Sequence, residues 1–332
     1  METEKTVPRK VRVTCFLFLL LALACNITVL FIPFITFRKF VKPEVYTLFH
    51  TVEMLWNERI YALAVLVVGF SVLFPFFKLF VLFLVVLLKK PGPRVLALLN
   101  RVEMLAKWSM LDVFLVSLVL TLTSGQVLVS ASPKGGVTLF MAAIVISMAV
   151  GQVLAGHLLD HTGRAKHFRL LKFDFKSGIR KLLVVVAGLM LFGALSFPFL
   201  KIEAWFLVDS DFSVVTVIPA LWKQDSYSAA LGVGLFLVLF PVARWIGLVR
   251  RTWSGANGGD PREHQRVFEL ARYWSMLDVF ALALGIFLVE GSRFVPADAQ
   301  LGLYLLVIVV FGNVLIERIL EANPHESTKA HE

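Results

Sequence analysis

The sequence predicts an all-α integral membrane protein with eight transmembrane helices, built as two tandem four-helix repeats, each with a small β-containing cap on its non-cytoplasmic side. Three observations predict it. The chain of 332 residues is 58% hydrophobic and 17% charged with mean hydropathy +0.81, an apolar excess that a soluble domain of this size does not tolerate on its surface. Eight apolar runs reach or approach the ~20 residues that cross a bilayer, at 13–35, 60–88, 108–130, 137–159, 181–200, 229–249, 274–291 and 298–316. The stretch Trp108–Phe114 returns unchanged as Trp274–Phe280, 166 residues later.

Charge sets the orientation. With both termini in the cytoplasm, 23 of the 33 Lys and Arg residues fall on the cytoplasmic side and 8 on the other, while Lys78 and Arg244 fall inside helices. That is the positive-inside asymmetry, so the net charge of +10 faces anionic head groups and not nucleic acid. The expected plan is a tail at 1–12, a membrane domain at 13–160, a basic linker at 161–180, a second membrane domain at 181–320 and a tail at 321–332.

Taken in order, the first apolar run is too long for the core of a cleavable signal and is read as a helix. Cys15 and Cys25 both lie in it, ten residues or about 15 Å apart, too far to bridge, and there is no Cys-x-x-Cys. Residues 36–59 form an outside segment. The second helix carries Phe74-Pro75 and then Lys78, and the proline predicts a kink. Lys89-Lys90-Pro91-Gly92-Pro93 reads as a helix stop opening a link over 89–107. The repeated motif opens the third helix, Pro133–Gly136 turns into the fourth, and the fourth carries Gly151-Gln152.

The second half repeats the plan. Pro198 answers Pro33, Trp222 answers Trp56, Pro241 answers Pro75, Arg244 answers Lys78 and Glu269 answers Glu103, at offsets of 165 or 166. Gly312-Asn313 is matched to Gly151-Gln152 at an offset of 161. Four helices per copy orient both halves alike, related by an axis along the membrane normal. In the outside segment 201–228, the β-branched run Phe212–Ile218 predicts a short strand.

Each half places one cation and one acid in apolar surroundings, where a lone charge costs several kcal/mol. Lys78 is therefore expected to pair with Asp112, and Arg244 with Asp278. Ser109 and Ser275, three residues before each acid, are expected to share its helix face. Glu103 and Glu269 are read as opening the same helices and complementing their N-termini, and Gln152 and Asn313 as interhelical hydrogen-bonding groups. These residues make either a structural clamp or a polar pocket serving a lipid head group or proton coupling. Trp56, Trp108, Trp222 and Trp274 read as interfacial anchors. His157, His161 and His167 are too loosely spaced to argue for a metal. There is no nucleophile with an adjacent base and no phosphate-cradling loop, so neither an enzyme nor a cofactor is expected.

The doubled Trp-Ser-Met-Leu-Asp-Val-Phe, each copy preceded by a helix with Phe-Pro and a basic residue, resembles the paraquat-inducible protein A family of bacterial inner-membrane proteins, over about residues 13–320. The resemblance implies an intermembrane lipid transport component that exchanges phospholipid with a periplasmic mammalian-cell-entry (MCE) domain protein, and the outside segments 36–59 and 201–228 are expected to dock that partner. Two other readings stand beside it: a non-transporting anchor and assembly platform for that partner, and a proton-coupled small-solute transporter. Family members carry cytoplasmic zinc-ribbon cysteines before each membrane unit, whereas residues 1–12 and 160–181 contain none.

Overall fold

The computed structural model describes residues 7–33, 35–39, 42–57, 59, 61–88, 91–123, 129–133, 135–158, 177–202, 210–253, 261–290 and 297–321. The chain is predominantly helical. Five stretches are long and apolar enough to cross a membrane, Arg9–Val29, Val68–Leu87, Gly135–Leu158, Tyr227–Arg250 and Val267–Val289, with shorter apolar helices over Lys181–Ser196, Val214–Lys223 and Leu301–Ile316. It is a multi-pass membrane protein. Backbone contacts divide it into two compact units, Met1–His167 with Leu221–Ala229, and Phe168–Ala220 with Ala230–Glu332.

In the first unit, helix α1 (Arg9–Val29) leads into strands β1 (Ile35–Lys39) and β2 (Lys42–Tyr46), then α2 (Leu48–Asn57) and α3 (Tyr61–Val67). A π-helical turn over Val68–Leu73 runs directly into α4 (Phe74–Leu87). Next come α5 (Pro93–Leu105), a 3-10 turn over Ala106–Met110, α6 (Leu111–Thr123), β3 (Val129–Pro133) and α7 (Gly135–Leu158). The strands form one antiparallel sheet in the order β2-β1-β3, with Phe37 opposite both Glu44 and Ala131. Helix α1 packs on α7 and α4, and α4 also packs on α5 and α7. Leu19, Ala22, Leu79, Leu82, Leu99 and Leu154 make the dry centre of these contacts.

The second half of the chain contains α8 (Ser177–Ser196), β4 (Leu200–Ile202), β5 (Ser210–Phe212) and α9 (Val214–Lys223), whose last three residues fall in the first unit. Helix α10 (Tyr227–Val233) meets a second π turn, Gly234–Leu239, continuing as α11 (Phe240–Trp253). Then follow α12 (Pro261–Trp274), α13 (Leu277–Glu290), β6 (Ala297–Ala299) and α14 (Leu301–Glu321), and the sheet order is β5-β4-β6. Within the second unit, large rings pack against glycines. The Trp245 ring fills the space beside Gly188 and donates its Nε1–H to the Val184 carbonyl at 2.9 Å, while Phe268 fills the space beside Gly247.

Several expectations are corrected. The β-branched run at 214–218 is helix α9 and not a strand. Ser213 and Thr216 cap it reciprocally, Ser213 N–H to Thr216 Oγ1 at 2.8 Å and Thr216 N–H to Ser213 Oγ at 3.3 Å, and such a cap with an apolar face outweighs weak intrinsic propensity. The strand beside β4 in that segment is Ser210–Phe212. Residues 89–107 are not a plain link, because they contain helix α5, and the second repeat has its counterpart in α12. Both open on a proline at the first helical position, where its fixed φ fits and its missing N–H is not needed. The proline-containing second helix answers with a π turn. The predicted linker at 161–180 lies mostly outside the described residues.

Candidate functional site: a broken helix and a buried charge

The site begins with two prolines. In an α-helix, residues 75 and 241 would donate N–H groups to the preceding turn; proline has no N–H and its ring collides with the carbonyl four residues back. Both helices widen into a π turn immediately before Phe-Pro, at the same offset of 166, with Phe74 N–H reaching Gly69 O and Phe240 N–H reaching Leu235 O. That bonding leaves the Phe236 carbonyl facing Pro241, which has nothing to give it. The Met276 N–H takes up this carbonyl at 3.2 Å.

Met276 is free to do so because the repeated motif breaks the helix. Ser275 and Met276 stand outside any helix, between α12 and α13, inside the apolar stretch Val267–Val289. Non-helical backbone at membrane depth survives only when protein buries it, and Ser275 and Met276 are buried. Trp274 closes the break by stacking on Phe236 and Phe240, with ring centroids 5.7 and 6.1 Å away. In the first repeat the same motif residues form the 3-10 turn Ala106–Met110, packed on the π turn.

The break relocates the predicted acids. Asp112 and Asp278 are the second residues of α6 and α13, and not the fifth residues of helices opening at Trp108 and Trp274. Asp278 therefore sits in a first turn, where the helix dipole favours an anion. Ser275 lies outside the helix that carries Asp278, whereas Ser109 lies in a 3-10 turn that runs into α6, and its relation to the Asp112 side chain lies outside the described residues. The Asp112 side chain, and with it the Lys78–Asp112 pairing, lies outside the described residues. Arg244 and Asp278 are half-buried and each takes part in a polar or electrostatic interaction.

Lys78 and Glu103 are both buried in the first unit, 1% and 5% exposed, near enough for the carboxylate to act electrostatically on the ammonium. Glu103 does not open a helix: it is the eleventh residue of α5, in the last turn, where the helix dipole opposes an anion. The buried ammonium offsets that cost. The carboxylate fits because Gly151 on α7 has no side chain; a Cβ there would coincide with the Glu103 carboxyl group. Lys78 Nζ and Ser109 Oγ make no hydrogen bond among the described residues, so buried polar capacity is concentrated where α4, α5, the 3-10 turn and α7 meet. Sequence reasoning named Glu103 only as a supporting residue and attached no role to Gly151.

The second repeat is built differently. Glu269, the counterpart of Glu103, is 49% exposed at its side chain and pairs with Arg272 at 4.0 Å, one turn along α12. The fourth helices also align otherwise than expected. Gly136 N–H bonds to Pro33 O at 3.2 Å and Gly302 N–H to Pro198 O at 2.7 Å, so α7 and α14 start in one register. Buried positions then recur at the 166 offset: Phe140 with Leu306, Ala143 with Val309, Val150 with Ile316. In that register Ser147 answers Asn313, and Gly312 does not answer Gly151. Gln152 and Asn313 are half-buried, and Gln152 has a partner.

The profile of the family described as paraquat-inducible protein A matches residues 13–161 and again residues 180–324. No curated protein and no solved structure matches the chain. The repeated proline-widened turn and motif break thus fall within two successive matches to one profile, and the chain belongs to the paraquat-inducible protein A family as a tandem pair of its membrane domains.

Proposed function

We propose that this protein is the inner-membrane component of an intermembrane lipid transport system, exchanging phospholipid with an MCE-domain tunnel in the periplasm. In this reading the chain crosses the membrane eight times with both termini in the cytoplasm. The two sheets and the amphipathic helices α2 and α9 then form the periplasmic caps that meet the partner. The protein carries out no covalent chemistry; it opens a polar path for a head group through the bilayer.

One observation supports this reading over a passive anchor: Lys78 and Glu103 are enclosed in a membrane-spanning unit. Enclosing two charges costs several kcal/mol per ion before their attraction returns any of it, and an anchor could be built from apolar residues alone. A pairing of Arg244 with Asp278 belongs to the same reading, as the second repeat's counterpart. The test is purification of the full chain with its bound partners, followed by lipid mass spectrometry, for the wild type and for Lys78→Met. Retention of the MCE-domain partner with loss of co-purified phospholipid in the variant is expected. Equal phospholipid in both preparations would overturn the lipid reading and leave the platform and the small-solute transporter.

A further inference from the structure

Among the described residues, Lys78 and Glu103 are the two charged side chains that are buried, and the charge of one acts on the other. The Lys78 ammonium nevertheless makes no hydrogen bond among the described residues, so its three N–H donors are not spent on the carboxylate. Ser109 Oγ, on the 3-10 turn that packs on α4, is in the same condition. An ammonium that is balanced in charge but not in hydrogen bonds is a receptor for a further acceptor. In the second repeat the counterpart of Lys78, Arg244, is half-buried, and the counterpart of Glu103, Glu269, is exposed beside Arg272.

Few other ionisable groups surround the couple. Helix α5 packs on α4, α7 and the 3-10 turn, and α4 packs also on α1. Lys78 is the ionisable residue of α4. Helix α7 adds His157, exposed at its end, and the 3-10 turn adds Lys107, half-buried. Arg94 and Arg101 on α5 are exposed, as are Arg9 and Lys10 on α1, where Arg12 is half-buried and Cys15 buried. The Asp112 side chain lies outside the described residues. Water thus reaches each of the other described charges, and the enclosed couple balances itself.

As ammonium and carboxylate the couple is neutral. A phosphodiester brought onto the ammonium adds a negative charge that nothing enclosed there balances, and unbalanced charge in apolar surroundings is strongly disfavoured. A proton restores neutrality. It goes to the Glu103 carboxylate, because a phosphodiester oxygen is a far weaker base, and because the carboxyl group already sits in the last turn of α5, where the helix dipole opposes an anion. We propose that Lys78 holds the phosphate of a phospholipid head group and that Glu103 takes up a proton for each phosphate so held. The proton moves from water to a Glu103 carboxylate oxygen; no other bond forms or breaks and no electron is transferred. By reciprocity, a proton on Glu103 favours the phosphate as much as the phosphate favours the proton.

This inference rests on the lipid-exchange reading for the source of the phosphate, since a free phosphodiester ion carries the same chemistry. The full chain in detergent is titrated by calorimetry with dioctanoyl phosphatidylglycerol, with dioctanoylglycerol, which lacks the phosphate, and with dimethyl phosphate, the free ion. Each titration is run near neutral pH in two buffers of different ionisation enthalpy, and the difference between them counts the protons taken up. Phosphatidylglycerol is expected to bind with about one proton per lipid and to weaken about tenfold per pH unit as the pH rises. Dioctanoylglycerol is expected to bind about tenfold more weakly or worse, with no proton. Lys78→Met should lose about tenfold or more of the phosphatidylglycerol affinity. Glu103→Gln should bind that lipid without proton uptake, and Glu269→Gln should match the wild type.

Phosphatidylglycerol bound without proton uptake, uptake undiminished in Glu103→Gln, or dioctanoylglycerol bound as tightly overturns the inference and leaves the lipid-exchange reading standing. Dimethyl phosphate bound with a proton, and no lipid bound, keeps the phosphate site and overturns lipid exchange. No binding of any of the three overturns both. The wild-type proton count decides the proposal by itself, even if a variant does not fold.

Discussion

Met276 donates its backbone N–H to the carbonyl of Phe236 at 3.2 Å, and that carbonyl is available because Pro241, five residues further on, cannot donate. A lesion in one helix and a break in another are thus matched groups: the proline leaves an acceptor without a donor and the motif supplies the donor. Replacing Pro241 by Ala returns an N–H to the π turn and lets it close to α geometry. The Met276 amide then loses its acceptor at a cost of about 1–3 kcal/mol. Hydrogen exchange at Met276 should accelerate in the variant; unchanged protection would show that the proline does not maintain the contact.

Gly151→Ala places a methyl group against the Glu103 carboxylate. The expected result is a loss of about 1–3 kcal/mol from overpacking, although alanine is the better helix former by about 1 kcal/mol. Gly156, five residues along the same helix with open space beside it, is the control. Gly156→Ala should raise the thermal midpoint and Gly151→Ala should lower it.

Removing one member of the buried charge couple should hurt more than removing both. Lys78→Met or Glu103→Gln alone is expected to cost about 3–5 kcal/mol, and the double variant clearly less than the sum. A double-mutant cycle on detergent-solubilised protein measures the coupling. A cycle that closes near zero would mean the two charges do not support each other.

Phe268 fills the space beside Gly247, and the first repeat carries the buried residues Val81 and Val102 at the two positions 166 residues earlier. Gly247→Val should therefore destabilise the second unit by about 1–3 kcal/mol. Adding Phe268→Val should return most of that loss, because the pair then reproduces the first repeat. Thermal midpoints of the single and double variants decide this.

Arg59 and Asp225 hold left-handed backbone, at φ 61° and 58°, each just after a helix whose tryptophan carbonyl accepts its N–H at 3.1 and 3.2 Å. Glycine adopts that conformation without the roughly 1 kcal/mol penalty of an L side chain. Arg59→Gly should leave stability unchanged or raise it, and Arg59→Val should lower it. Asp225→Gly should gain less, because it also removes the acceptor of the Tyr227 hydroxyl at 2.9 Å.

Much of this was legible in the sequence. The 166-residue repeat announced Pro75 with Pro241 and Lys78 with Arg244, and the structure keeps both π turns at that offset. Burial of Glu103 was not legible, since it depends on a missing Cβ on a helix 48 residues away, and no local pattern encodes a vacancy in a neighbour. The motif's helix break was hidden because Trp-Ser-Met-Leu is apolar enough to continue a helix; only the unmet carbonyl of another helix makes the break favourable. The match of Gly312-Asn313 to Gly151-Gln152 misled because sequence similarity is blind to rotation: a five-residue slip along a helix turns a residue through about 140°.

The left-handed corners have a consequence for recognition. Trp56 with Tyr61 and Trp222 with Tyr227 meet edge-on at 4.9 and 4.8 Å, framing the same backbone twice, yet one corner offers a guanidinium and the other a carboxylate. A ligand that reads shape would find two equal sites on this molecule. A ligand that reads charge would find one, and so would bind with a single polarity to a protein that looks like a twofold repeat.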